Sequence, residues 1–182
     1  MSLSVVIPCY NEEKTIITII NEVEKALKNA KIDFEIIVTD DGSTDESLNK
    51  LKSLKNKIKL ITQSNMGKGK AVQNAIKFSK KEFIIVQDAD LEYYPKDIIK
   101  MYSCGKKDTV VYGSRLKGAK LKSYGLRKIL GLNRNYNFSS YIANLIFTIF
   151  HLLLYQKLIS DTLTGYKLYP KKFFEENKII KY

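Results

Sequence analysis

The chain has 182 residues and 45% hydrophobic content, which fits one globular domain with a sizeable core. Its 31 Lys and Arg against 19 Asp and Glu give a formal charge of +12, favouring polyanions: nucleic acid, an anionic membrane surface or phosphate-bearing small molecules. Cys9 and Cys104 show neither metal nor redox spacing, so a reducing compartment is the default, and no apolar run reaches the roughly 20 residues of a spanning helix.

The opening "MSLSVVIPCYNEE" lacks the basic leader and apolar core of a signal peptide. Within it "LSVVI" (3–7) reads as a strand, and "EEKTIITIINEVEKALKNA" follows as a helix with Ile16, Ile17, Ile20, Val23 and Leu27 on one face. "FEIIVT" (34–39) is the second strand and "DESLNKLKSLK" the second helix; "IKLIT" (58–62) and "GKAVQNAIKFSK" repeat the pattern. "FIIVQ" (83–87) precedes the helix "PKDIIKMYS", whose Pro95 suits a first turn, and "TVVYG" (109–113) is the fifth strand. Strands alternating with helices predict one α/β domain with a mostly parallel sheet covered on both faces. The least polar stretch, "YIANLIFTIFHLLLY" (141–155), reads as a buried helix or a segment lying in a membrane interface.

Ligands of such sheets bind beyond the carboxyl ends of the strands. There the chain places "PCYNEE", "DDGSTD", "QSNMGKGK" and "DADLE". Asp88 and Asp90 fall on one side of an extended segment, about 7 Å apart along the chain. Two such carboxylates stay ionised when a cation neutralises them, and Mg²⁺ or Mn²⁺ suits oxygen ligands; Glu92 continues the same face. In "DDGSTD" Gly42 permits a tight turn and Ser43 or Thr44 caps the next helix, while Asp40 and Asp41 can accept hydrogen bonds from a nucleobase or ribose. "NMGKGKA" opens a helix whose free N–H groups, with Lys68 or Lys70, favour phosphate. It is no dinucleotide fingerprint, because Val72 stands where the third glycine belongs. Between Asp108 and Asp161 no acid occurs, while Arg115, Arg127, Arg134 and five lysines do. This interval reads as a solvated basic loop or as an anion-facing surface. Cys9 and His151 read as packing residues.

In order, "VVIPCYNEEKTI", "IIVTDDGSTDES", "NMGKGKAVQNAI", "IIVQDADLEYYP", "VVYGSR" and "SDTLTGYKLY" resemble family 2 glycosyltransferases of the GT-A fold, and within them the polyprenyl- and dolichyl-phosphate sugar transferases. The resemblance covers nearly the whole chain. It implies a Rossmann-like catalytic domain over 1–182, with a nucleotide-sugar part to about residue 114 and an acceptor- and membrane-facing part from about 115. It implies that Pro8, Tyr10, Asn11, Glu12, Asp40, Asp41, Gly67, Lys68 and Asp88 bind a GDP- or UDP-linked sugar. Asp88, Asp90 and Glu92 would hold Mg²⁺ or Mn²⁺. Arg115, Arg127, Arg134 and Ser140 would meet the acceptor phosphate, with Asp161, Asp90 and Arg115 as catalytic residues. Relatives continue past the "DTLTGYKLY" motif, so a chain ending at Tyr182 is expected to be a truncated or minimal form.

The expected reaction is inverting transfer of a hexose to a polyprenyl phosphate at an anionic membrane surface, on its cytoplasmic face, with no nucleic acid partner. Transfer to a soluble or cell-surface saccharide is the alternative. A sugar nucleotidyltransferase would want a basic glycine-rich loop where "PCYNEE" is acidic, and an RNA-binding domain would leave the acid-bearing strand ends without a purpose.

Overall fold

The computed structural model of the chain describes residues 1–91, 93–113, 138–156 and 164–176. In chain order the elements are β1 (Ser2–Cys9), α1 (Ile16–Asn29), β2 (Asp33–Asp40), α2 (Ser47–Ser53), β3 (Lys59–Thr62), α3 (Lys68–Lys77), β4 (Phe83–Val86), α4 (Lys96–Ser103), β5 (Val111–Tyr112), α5 (Phe138–Tyr155), β6 (Lys167–Pro170) and α6 (Lys172–Glu176). The chain divides into two compact units, Met1–Val111 with Tyr166–Tyr182, and Tyr112–Gly165.

The strands form one sheet in the order β3-β2-β1-β4-β6-β5. β1 is parallel to β2 and to β4, β2 is parallel to β3, and β6 runs antiparallel to β4. The mostly parallel α/β sheet expected of a GT-A fold is what the chain forms. β1 is central, and its residues Ser4 to Cys9 are buried without alternation, because helices cover both faces. On one face Leu3, Val5, Ile7 and Cys9 pack with Ile16, Ile20, Val23 and Leu27 of α1. On the other, Val6, Ile37 and Ile84 meet Ala75 and Ile76 of α3. Burying each such Ile, Leu or Val side chain contributes about 1.5–3 kcal/mol. Ile17, expected on the core face of α1, is only partly buried.

The sequence pattern did not mark β6. Three of its four residues join the β4 ladder, pairing Phe83 with Pro170, Ile84 with Tyr169 and Ile85 with Leu168. In the second unit, α5 carries no charged side chain and leaves Ile146, Phe147, Phe150 and Leu153 more than half exposed. No helix among the described residues is long and apolar enough to cross a membrane.

Strand order reverses beside β1: β2 and β3 lie on one side of it, β4 on the other. Such a switch point leaves a crevice at the carboxyl ends of the diverging strands, here Cys9 and Val86.

Candidate active site

The loops that follow β1 and β2 are laced together. Asn11 sits at φ +55°, a left-handed backbone that asparagine tolerates. Its N–H donates to Ser43 Oγ at 3.0 Å, and its Oδ1 accepts the Thr44 N–H at 2.8 Å. Glu12 N–H donates to Ser47 Oγ at 2.7 Å, and Glu13 N–H to Asp45 Oδ2 at 3.1 Å. The hydroxyls of "DDGSTD" therefore serve the neighbouring loop. α2 begins after Glu46 with no side-chain cap, unlike the capping expected from Ser43 or Thr44.

The two aspartates that end this strand differ in role. Asp40 is buried; its Oδ2 accepts the Ser43 N–H at 3.3 Å, and its Oδ1 has no hydrogen-bond partner among the described residues. Asp41 reaches across to the loop after β3. Its Oδ1 accepts Gln63 Nε2 at 2.6 Å and the Met66 N–H at 2.9 Å, and its Oδ2 accepts the Gly67 N–H at 2.9 Å. Gly42, at φ +73°, lets these loops close: a Cβ there would stand 2.8 Å from the Asn65 backbone nitrogen. Gly67, at φ +87°, then turns the chain into α3, and the Lys70 and Ala71 N–H groups return to its carbonyl.

Pro8, Tyr10 and Glu12 form one wall of a cavity of about 430 Å³. Asp41, Asn65, Gly67 and Lys68 line it from the β2 and α3 side, and Asp88 and Asp90 from the end of β4. Asp88 and Asp90 lie in a bend past the strand end, separated by the buried Ala89, so both acids are partly exposed on the cavity side. The Lys68 ammonium sits 2.7 Å from Asp88 Oδ1, with the lysine side chain 61% exposed and the aspartate 15%. Four carboxylates and one ammonium thus line a cavity in a protein that is otherwise basic.

Among the described residues no cluster of three acids, histidines or cysteines is arranged to hold a metal. The oxygen pair of Asp88 and Asp90 nevertheless fits a hard divalent cation, which takes its remaining ligands from water and substrate phosphates. The Lys68 contact shows that Asp88 already draws a positive charge.

Cys9 also lines the cavity, but burial, reinforced by Asp40, pushes its thiol up to about 12, so it stays protonated and packs. Tyr166 belongs to the "SDTLTGYKLY" stretch. It is buried beside the Asp88 loop, and burial first, then Asp97 and Asp88, hold its phenol well above the ordinary range.

Of the expected site residues, Pro8, Tyr10, Glu12, Asp41, Gly67, Lys68, Asp88 and Asp90 come together around one cavity. Asn11 and Asp40 do not line it; they brace the loops behind it. Glu92, Arg115, Arg127, Arg134 and Asp161 lie outside the described residues, as does the side chain of Ser140. Asn65 joins the lining without having been singled out; it stands two residues before Gly67 in "NMGKG".

Comparison with known protein families matches residues 4–177 to glycosyl transferase family 2. The chain belongs to that family. It is 34% identical over 189 residues to a dolichyl-phosphate beta-glucosyltransferase of Trichomonas vaginalis, covering 92% of this chain and 51% of that protein. It is 32% identical over 129 residues to the dolichol-phosphate mannosyltransferase of Pyrococcus furiosus (68% of this chain, 36% of that one). An undecaprenyl-phosphate 4-deoxy-4-formamido-L-arabinose transferase of Pseudomonas fluorescens is 34% identical over 101 residues (53% and 30%). The chain therefore spans between 30% and 51% of the length of these relatives. Among solved structures, glucosyl-3-phosphoglycerate synthase of Mycobacterium tuberculosis in complex with Mn²⁺, UDP-glucose and phosphoglyceric acid superposes with a TM-score of 0.60 at 19% identity, covering 95% of this chain and 58% of that one. The two share a fold.

Proposed function

We propose that the family 2 glycosyltransferase represented by this chain moves a hexose from a nucleotide-diphosphate sugar to a polyprenyl phosphate, with inversion and with Mg²⁺ or Mn²⁺. The observation that carries this reading is the convergence of Asp88, Asp90 and Lys68 on one cavity at the switch point of the sheet. The names of the similar dolichyl- and undecaprenyl-phosphate transferases support the acceptor class.

In this reading the nucleotide-sugar part extends to about residue 114 and the acceptor part from about 115. Tyr10 is half exposed at the cavity wall and offers its ring to the nucleobase, while Glu12 and Asp41 border the ribose. Asp88 and Asp90 hold the divalent ion, joined by Glu92. When bound, that ion offsets the charge gathering on the departing nucleoside diphosphate. Lys68 leaves Asp88 and turns to the diphosphate oxygens, which its flexible stem permits.

A phosphate monoester with a second pKa of about 6 is largely dianionic at neutral pH, so the acceptor oxygen needs little help from a base. Arg115, with Arg127, Arg134 and Ser140, binds and orients that phosphate, and Asp161 orients the acceptor. The acid-free basic interval attracts an anionic surface at about 1 kcal/mol per basic residue close to it. In this reading the exposed apolar side chains of α5 enter the membrane interface, and the protein sits peripherally on the cytoplasmic face.

The test is transfer from labelled UDP- and GDP-sugars, with and without Mn²⁺, to polyprenyl phosphate and to soluble saccharides. Metal-dependent labelling of the lipid is expected, and Asp90→Asn should abolish it while the circular dichroism spectrum stays unchanged. Labelling of a saccharide alone would transfer the reading to that acceptor class.

A further inference from the structure

The segment carrying Asp88 and Asp90 is closed from beneath by two side chains that do not line the cavity. Gln87 is 0% exposed and Tyr166 4%. The Tyr166 hydroxyl donates to Gln87 Oε1 at 2.6 Å, bridging 79 positions of sequence. Gln87 Nε2 donates to the Asp88 carbonyl at 3.1 Å and reaches the Tyr93 carbonyl at 3.5 Å. Its backbone N–H donates to the Val6 carbonyl at 2.9 Å, fixing it to β1. The rings of Tyr93 and Tyr166 lie 4.8 Å apart at a tilt of 32°. One amide and one phenol thus gather the first and last turns of the loop from Asp88 to Tyr93.

The pair is directional. Its Oε1 accepts from the Tyr166 hydroxyl and its Nε2 faces the carbonyls, so turning the amide over would set its oxygen against theirs. A glutamine and a tyrosine in this position are costly unless bonded, and an apolar pair would fill the space without that cost. What the polar pair adds is a fixed path for the backbone between the acids.

We propose that Gln87 and Tyr166 are positioning residues that set the spacing of Asp88 and Asp90, so that Tyr166, distant in sequence, holds the donor-side carboxylates in shape. The role of those carboxylates rests on the proposed function; the clasp itself is a property of the metal-free protein.

The experiment uses the full chain as Tyr166→Phe, Gln87→Leu and the double variant. It reads amide hydrogen exchange without metal, Mn²⁺ affinity by the electron paramagnetic resonance of free Mn²⁺, and melting temperature. Each single variant should speed exchange across residues 88–94 while leaving β1 and β2 protected. Mn²⁺ affinity should fall about tenfold, the lower end for loss of a group that supports a metal ligand. The double variant leaves neither member of the pair without the other, although the Asp88 and Tyr93 carbonyls still lose the Gln87 amide, so it should regain part of the melting temperature lost by the singles while exchange stays fast and Mn²⁺ binding weak. Packing alone cannot give that split. Recovery of Mn²⁺ affinity together with melting temperature would overturn the proposal, as would unchanged exchange in the singles. If a single variant fails to fold, the double carries the same comparison. A wild-type chain without Mn²⁺ affinity would remove the metal reading, and exchange at 88–94 would then decide the clasp by itself.

Discussion

Lys68 Nζ and Asp88 Oδ1 stand 2.7 Å apart, so the ammonium occupies a coordination position of the carboxylate expected to hold a divalent ion. In the proposed function such an ion would compete with the lysine for Asp88 and cooperate with a bound diphosphate. Lys68→Met should therefore act with opposite signs on the two ligands. Mn²⁺ alone should bind up to a few-fold more tightly, since a half-exposed pair is worth about 0.2–1 kcal/mol. The nucleoside diphosphate with Mn²⁺ should bind more weakly, by about 1.5–3 kcal/mol for a lost hydrogen bond to a charged group. Titration calorimetry of each ligand checks both, and equal signs would refute the exchange of partners.

Asp41 offers a different kind of test. Its carboxylate accepts from Gln63, Met66 and Gly67, so Asp41→Ala should cost stability as well as ligand affinity. A hydrogen bond to a charged acceptor is worth at most about 1.5–3 kcal/mol, less at the exposed Met66 and Gly67 where water can replace the carboxylate, and the α3 start that presents Lys68 loosens with its loss. A lower melting temperature accompanied by weaker nucleoside diphosphate binding is expected. Loss of binding at an unchanged melting temperature would assign Asp41 to direct contact with the nucleotide alone.

The cysteines should separate cleanly toward a thiol reagent. Cys104 is exposed, whereas Cys9 is buried and its thiol is raised to about 12. The sign follows from burial: the thiolate is disfavoured, so Cys9 stays protonated through pH 7–9. Native protein should release one equivalent with Ellman's reagent and a second only after denaturant. Rapid reaction of both in the native state would contradict the packing around Cys9.

Membrane association should depend on charge. With no acid between Asp108 and Asp161, anionic vesicles should be bound more tightly than neutral ones, and added salt should weaken the binding. Arg115→Ala should raise the polyprenyl phosphate requirement while sparing donor affinity, and Arg115→Lys should recover part of the loss, because an ammonium lacks the guanidinium fork. Co-sedimentation with vesicles and a KM for each substrate measure these effects. Indifference to vesicle charge would remove the lipid-surface role.

Local chemistry made much of this molecule legible. Runs such as "FEIIVT" and "FIIVQ" name buried strands because β-branched residues without alternation suit a sheet covered on both faces. Acids at strand ends marked the site, since a parallel sheet puts those ends on one edge. The partners of those acids were not legible. Whether Asp41 faces a nucleotide or Met66 and Gly67 depends on how closely two loops approach, which Gly42 permits but does not announce. Gln87 looked like the last residue of a strand and Tyr166 like part of a motif, because a contact across 79 positions leaves no periodic trace. "KLYP" carries little strand signal, being short and ending in proline.

That short strand also sets a timetable for synthesis. β1 to β4 leave the ribosome before β6, and among the described residues β4 then has β1 as its strand partner on one side and none on the other until Lys167–Pro170 is made. Throughout that interval Phe83, Ile84 and Ile85 present an unpaired apolar edge, the kind that recruits foreign strands. The nascent domain is exposed to aggregation for the time it takes to translate some 80 residues, on the order of 4–16 s at about 5–20 residues per second. A chaperone that shields this edge during those seconds should raise the yield of folded protein more than one supplied after release.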